Sequence, residues 1–210
     1  PDVPPKKLLR NTGGTFSLVD WTFFIINNVV QQPYYKFADS AVTMTPSATT
    51  GTVTLTASAA VFESGHANTR YRIGGKEVLV TSIASPTVAT ATVIQTLSGT
   101  TATIDWEEQA FSSVRGYPIT VAFHQDRLVI GGSRDMPNRL WFSKSGDLFN
   151  FDLGTGLDDL RQRGEIAARA EGEAHTHRGV ITLVAAREVF ERLAQAHGRR
   201  DVELDGHYGL

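Results

Sequence analysis

The sequence predicts a mainly β protein: a small antiparallel β barrel or sandwich, then a β meander resembling a propeller blade, then a helical C-terminal segment. Three observations predict it. Residues 41–105 are dense in Thr, Val, Ala and Ser, and the pieces 52-TVTLTAS-58, 77-EVLVTSI-83 and 87-TVATATVIQTL-97 alternate with period two, as half-buried strands do. Residues 117–151 repeat that alternation in short runs broken at Gly and Pro, the signature of consecutive strands joined by tight turns. Residues 160–210 abandon it, with no Ser, no Lys, two Thr and eight Arg.

Taken in order, residues 1–40 form an N-terminal arm with strands. A Pro-punctuated basic start (Pro4, Pro5, Lys6, Lys7, Arg10) leads to the apolar run 21-WTFFIINNVV-30. That run is either a buried strand pair turning at Asn27-Asn28 or a surface for a partner. Within the β domain at 41–105 the breaks fall at 63-ESGHANTR-70, 74-GGK-76, Ser85-Pro86 and 98-SGTT-101, all of them turn chemistry.

The meander belongs to a third region, 106–159. Pro118 lacks an amide donor and pushes Tyr117 toward extended geometry, so it suits the first residue of a strand. Ile119, Val121 and Phe123 share one face of that strand, Gln125-Asp126 makes a tight turn, and 127-RLVIGGS-133 returns. The loop 134-RDMPN-138 then reverses the chain into 139-RLWFSK-144, which ends at Ser145-Gly146. Trp141 and Phe142 must point to opposite faces of this last strand, so at most one of them fills its own core face.

The fourth region, 160–210, favours helix. Leu183, Ala186, Phe190, Leu193, Ala194 and His197 recur at helical spacing, Glu188 and Arg192 form an i,i+4 pair, and Gly198 is a stop. Two explanations fit the abrupt change of composition. One is a helical extension packing its apolar stripe on the β modules; the other, which we favour, is a shifted reading frame, a fusion or a truncated end.

Whole-chain properties exclude several functions. With 210 residues the chain can bury a core without staples. It has no cysteine, which removes disulfides, thiolate catalysis and sulfur-based zinc sites. A formal net charge of −2 supplies no basic field for gripping nucleic acid. No apolar run reaches the ~20 residues of a membrane-spanning helix. The opening PDVPPKKLLR lacks both an initiator Met and the apolar core of a signal peptide, so a processed chain or a piece of a longer one is expected.

Catalytic and metal signals are weak. Asp105, Glu107 and Glu108 offer the carboxylates a glycosidase needs, but adjacent residues on a strand diverge to opposite faces, and pairing of Glu108 with Arg115 is the expectation. His175 and His177 supply two imidazoles where a metal site needs more. Asp147, Asn150, Asp152, Asp158 and Asp159 do not follow the EF-hand spacing and read as turn and cap residues. Ser133, Asp135 and Trp141 faintly resemble the Asp-box of sialidase-type propellers, a turn device, with Pro137 where that motif has Gly. Gly74-Gly75 and Gly131-Gly132 lack the surroundings of a nucleotide-binding loop. No cofactor is expected, and the chain reads as a non-enzyme.

The run 106-WEEQAFSSVRGYP-118, followed by VAFHQDRLVIGGS, PNRLWFSKSGD and NFDLGTGLDD, resembles the central region of tail nozzle or stub proteins of tailed bacteriophages, the tail tubular protein B family. Trp106, Glu108, Arg115, Gly116, Pro118, Gly131, Gly132, Trp141 and Gly146 are among the matching positions. Weaker similarity reaches back through 70-RYRIGG-75 to PPKKLLR, so the resemblance spans roughly residues 1–159. It implies a β-rich, multimeric virion component at the distal end of the tail, made in the bacterial host cytoplasm. A homo-oligomeric ring and neighbouring tail proteins would be its partners, and DNA would pass through without sequence-specific binding. It implies no catalytic residues. Apolar surplus places the expected interaction surface at Trp21, Phe23, Phe24, Trp141 and Phe142. The competing reading is a carbohydrate-binding or adhesin-type β module, since meanders with exposed Trp and Tyr also bind sugars.

Overall fold

Antiparallel pairing builds almost everything in the computed structural model, which describes residues 2–152. The strands are β1 (Lys6–Arg10), β2 (Phe16–Asp20), β3 (Ile25–Ile26), β4 (Val29–Val30), β5 (Tyr34–Tyr35), β6 (Met44–Pro46) and β7 (Thr52–Ala57). They continue as β8 (Arg70–Ile73), β9 (Lys76–Ser85), β10 (Val88–Val93), β11 (Trp106–Gln109), β12 (Thr120–His124), β13 (Arg127–Gly131) and β14 (Leu140–Phe142). One 3-10 turn, Ser64–His66, precedes β8. The expected helix at 183–197, the His175/His177 pair, and Asp158 and Asp159 lie outside the described residues.

The period-two segments fall on β7, β9 and β10. Val53, Leu55 and Ala57 of β7 point inward while Thr52, Thr54 and Thr56 face out. Ala89 and Ala91 of β10 and Val78 and Val80 of β9 join them in a core completed by Met44, Phe62, Tyr71 and Trp106. These strands belong to a seven-stranded sheet of order β5-β11-β8-β9-β10-β7-β6. Two register shifts between β9 and β10 add the local twist that curls a sheet. The curl brings its ends together: Met44 and Thr103 exchange backbone hydrogen bonds of 2.8 and 3.0 Å, and Trp106 Nε1 donates to Val42 O at 2.7 Å.

The sheet is not confined to residues 41–105. Its β5 and β11 come from the flanking regions, because β8 has an unpaired side that β11 covers, and β5 then pairs with β11 through Tyr35 opposite Glu108. Compositional change marks where Thr-rich strands stop; it carries no information about which strand completes a ladder.

Two-residue turns set the hairpin registers. Asn27-Asn28 (φ 51° and 66°), Gly74-Gly75 (57° and 71°) and Gln125-Asp126 (48° and 58°) each hold two consecutive positive φ values, the type I′ geometry that matches strand twist. The first shows 25–30 to be a strand pair turning where the asparagines stand. The third uses Gln125, which is poorly suited to it, since side chains other than Gly, Asn and Asp are strained there. Replacing Gln125 by Asn together with Asp126 by Gly is expected to raise the unfolding free energy by about 1 kcal/mol, seen as a higher urea midpoint. An unchanged or lower midpoint contradicts this account of the turn.

Candidate interaction surface

The second core lies under the three-stranded meander β12-β13-β14. Ala110, Phe111, Leu128, Ile130, Met136 and Phe151 are buried in it, with Trp21, Phe23, Trp141 and Phe149 packed at its margin. Trp21 stands 5.2 Å from Phe23, Phe23 meets Phe151 edge-on at 5.6 Å, and Trp141 meets Phe111 edge-on at 4.7 Å. Gly131 ends β13 where space runs out: a Cβ there would strike Leu140 Cδ2. Its role is close packing.

Register shows what this core leaves uncovered. Val121 stands opposite Ile130, which stands opposite Trp141, and Phe123 stands opposite Leu128, so all five side chains share one face. Leu128 and Ile130 are buried, yet Val121 is 62% and Phe123 72% exposed, with Ile119 at 53%. The apolar face therefore continues past its cover. Between the exposed row and the base of the β1–β2 hairpin runs a groove of about 370 Å³, lined by Pro5, Lys7, Trp21, Val121, Phe123 and Phe149 among others.

The expected surface residues are placed differently from one another. Trp21 and Phe23 are half-buried because Phe149 and Phe151 return from the end of the described chain to cover them. Trp141 is half-buried against Phe111, and Phe142, on the opposite face beside Val129, is half-buried too. Phe24 alone of the five is exposed, next to exposed Ile25 and Ile26. The larger apolar exposure, missed as a surface, is the row Ile119, Val121 and Phe123; its alternation was visible, but the strand's position at a sheet edge was not.

The expected pairing of Glu108 with Arg115 is present. Glu108 is buried, with Arg115 Nη2 donating to Oε1 at 2.8 Å. His66 Nε2 lies 2.9 Å from Glu108 Oε2, off the line of a hydrogen bond. His66 Nδ1 accepts the Glu63 amide at 2.9 Å, which puts the proton of a neutral imidazole on Nε2. The pair is sealed from substrate: His66 is 0% exposed. Glu107 points to the other face and Asp105 is exposed. Ser133 Oγ accepts the Met136 amide at 3.1 Å, a turn contact. Among the described residues no group of three or more metal-ligating side chains converges, and no helix is long and apolar enough to cross a membrane.

Glu77 anchors the other side. Its buried carboxylate accepts Tyr34 Oη at 2.7 Å and the Val30 amide at 3.1 Å, and pairs with Arg70. Burial, reinforced by the Glu77 charge, holds the Tyr34 phenol well above its ordinary range. Burial also raises Tyr71, whose neighbour across the ladder is Glu108.

No protein-family model matches the chain, and a search of curated proteins finds no relative.

Two outcomes follow from this wiring. Glu108→Ala strands Arg115 and His66 and is expected to cost about 3–5 kcal/mol of stability, measured by urea unfolding of the full chain; a loss below about 1 kcal/mol contradicts the role assigned to it. The raised phenols of Tyr34 and Tyr71 keep their protons in the folded state when the unfolded chain would release them. Their contribution is complete below the unfolded value near 10 and is lost as pH rises beyond it. Stability should thus fall above about pH 10, by up to ~1.4 kcal/mol per pH unit for each phenol, with phenolate absorbance from these two appearing only as structure is lost. Phenolate from Tyr34→Phe and wild-type chains that is identical throughout the folded range and the unfolding transition would contradict it.

Proposed function

We propose that this chain is a structural subunit of a bacteriophage tail, in the nozzle or stub region, which assembles with copies of itself and with neighbouring tail proteins around the path of exiting DNA. The observation that carries the reading is the continuous apolar face of the meander, buried at Leu128 and Ile130 and open at Val121 and Phe123. A face that is half core and half surface asks for a partner to finish it. The extended resemblance of residues 106–159 to tail nozzle proteins supplies the kind of partner.

Charge supports the same reading. A conduit should not hold phosphates, since each neutralised phosphate adds salt-sensitive affinity. The chain is near neutral, and Arg72, Arg139 and Arg115 lie over the rings of Tyr34, Tyr35 and Phe37 at 4.0, 4.2 and 4.4 Å. The adhesin or sugar-binding alternative wants exposed Trp. Here Trp106 is buried, and Trp21 and Trp141 are half-buried against phenylalanines.

Mass spectrometry of purified phage particles from the source tests the proposal. The expected result is peptides of this chain in constant ratio to other tail proteins. Absence from particles, together with saturable glycan binding by a monomer, would overturn it in favour of the adhesin reading.

A further inference from the structure

The β1–β2 hairpin is a ribbon paired only with itself. Lys6 to Arg10 match Asp20 to Phe16 residue for residue, and the body touches mainly its base, where the Trp21 amide donates to Pro5 O at 3.1 Å and Lys7 Nζ sits 5.1 Å over the Phe149 ring. An isolated two-stranded ribbon is marginal in water. On one of its faces Lys7, Ser17 and Val19 are half-buried; the opposite face carries Leu8, Phe16 and Leu18 at 66%, 63% and 71% exposure. Neither that face nor the β12 row is covered by the described residues, although the hairpin base and the row line the same groove.

We propose that this hairpin is an arm that seats on the β12 face of a second copy of this chain, with Leu8, Phe16 and Leu18 of one copy covering Ile119, Val121 and Phe123 of the next. Area supports the pairing. At ~200 Å² for a large apolar side chain, the six exposed fractions amount to about 770 Å², the apolar share of an interface of about 1,300 Å², which reaches the range of stable protein contacts. Charge supports the polarity. Arg10 follows Leu8 on the outer face toward the arm's tip, and Asp126 follows Phe123 at the tip of the β12–β13 turn; both are exposed. Laid tip to tip, arm and strand match apolar rows and bring arginine to aspartate. The contact joins two different patches, so it repeats from copy to copy and closes a ring or runs on as a filament according to its rotation. The inference rests on reading the chain as an assembly subunit and adds which surfaces meet.

The absence of cysteine from the sequence makes the test direct. Full-length Leu18→Cys and Val121→Cys chains are oxidised separately and as a mixture. A disulfide-linked dimer is expected in the mixture, containing one chain of each kind, and should disappear when Phe123→Asp is added to the Val121→Cys chain. Leu18→Asp in the otherwise unaltered chain should weaken self-association at least tenfold in sedimentation while leaving the circular dichroism of the body unchanged. A Leu18→Asp chain that assembles normally, without mixed cross-links, overturns the arm contact and leaves the assembly reading standing. Cross-links only within the Leu18→Cys sample would show arm meeting arm and also overturn it. A wild-type chain that stays monomeric and is absent from phage particles removes both.

Discussion

The Glu108 carboxylate is the constraint on which both halves of the structure rest. Its strand, β11, is the last to join the large sheet and the one from which the chain enters the second core two residues later, at Ala110 and Phe111. One oxygen faces His66, held by the 3-10 turn that leads into β8. The other accepts Arg115, which lies over Phe37 and reaches Asp135 at 3.5 Å. A buried charge stripped of water is costly unless its partners are fixed. Fixing them aligns a sheet, a turn and the approach to the meander at once.

The segment 34-YYKF-37 supplies the complementary seam. Its aromatic rings each carry an arginine from a different element, and Lys36 between them donates to the carbonyls of Ser40, Val42 and Ile104 at 3.0, 2.9 and 2.8 Å while lying over Trp106. Cation and ring contacts of this kind contribute about 0.5–2 kcal/mol apiece. They draw cations from other parts of the chain onto one short segment and so help join the modules.

Much of the fold was legible because local chemistry and tertiary demand agree in it. Thr and Val alternation marked β7, β9 and β10, Asn27-Asn28 and Gln125-Asp126 marked hairpin turns, and the Glu108 and Arg115 pair followed from strand geometry and proximity in sequence. What stayed hidden depends on distant chain. Trp21 and Phe23 looked like surplus surface because nothing near them in sequence announces Phe149 and Phe151 as their cover. An arm with strands was expected at the N-terminus, but nothing in the basic start 4-PPKKLLR-10 announces 16-FSLVD-20 as its pairing partner. Ile119, Val121 and Phe123 could be placed on one face of their strand from alternation; only the sheet order and burial show that the core ends one strand short of them.

The closure of the large sheet has a temporal consequence. Lys36 bridges to a carbonyl 68 residues away, at Ile104, and neither that bridge nor the Met44 and Thr103 pairing exists until the chain has been made past the second of these positions. Contacts so distant in sequence form slowly, because the intervening loop must be closed before they repay its entropy. Without β11 and its Trp106, the set β6–β10 would present open edges at β8 and β6, and open edges invite pairing with a neighbour. β11 covers the β8 edge and, through the preceding Thr103, brings that side of the sheet back to Met44 of β6.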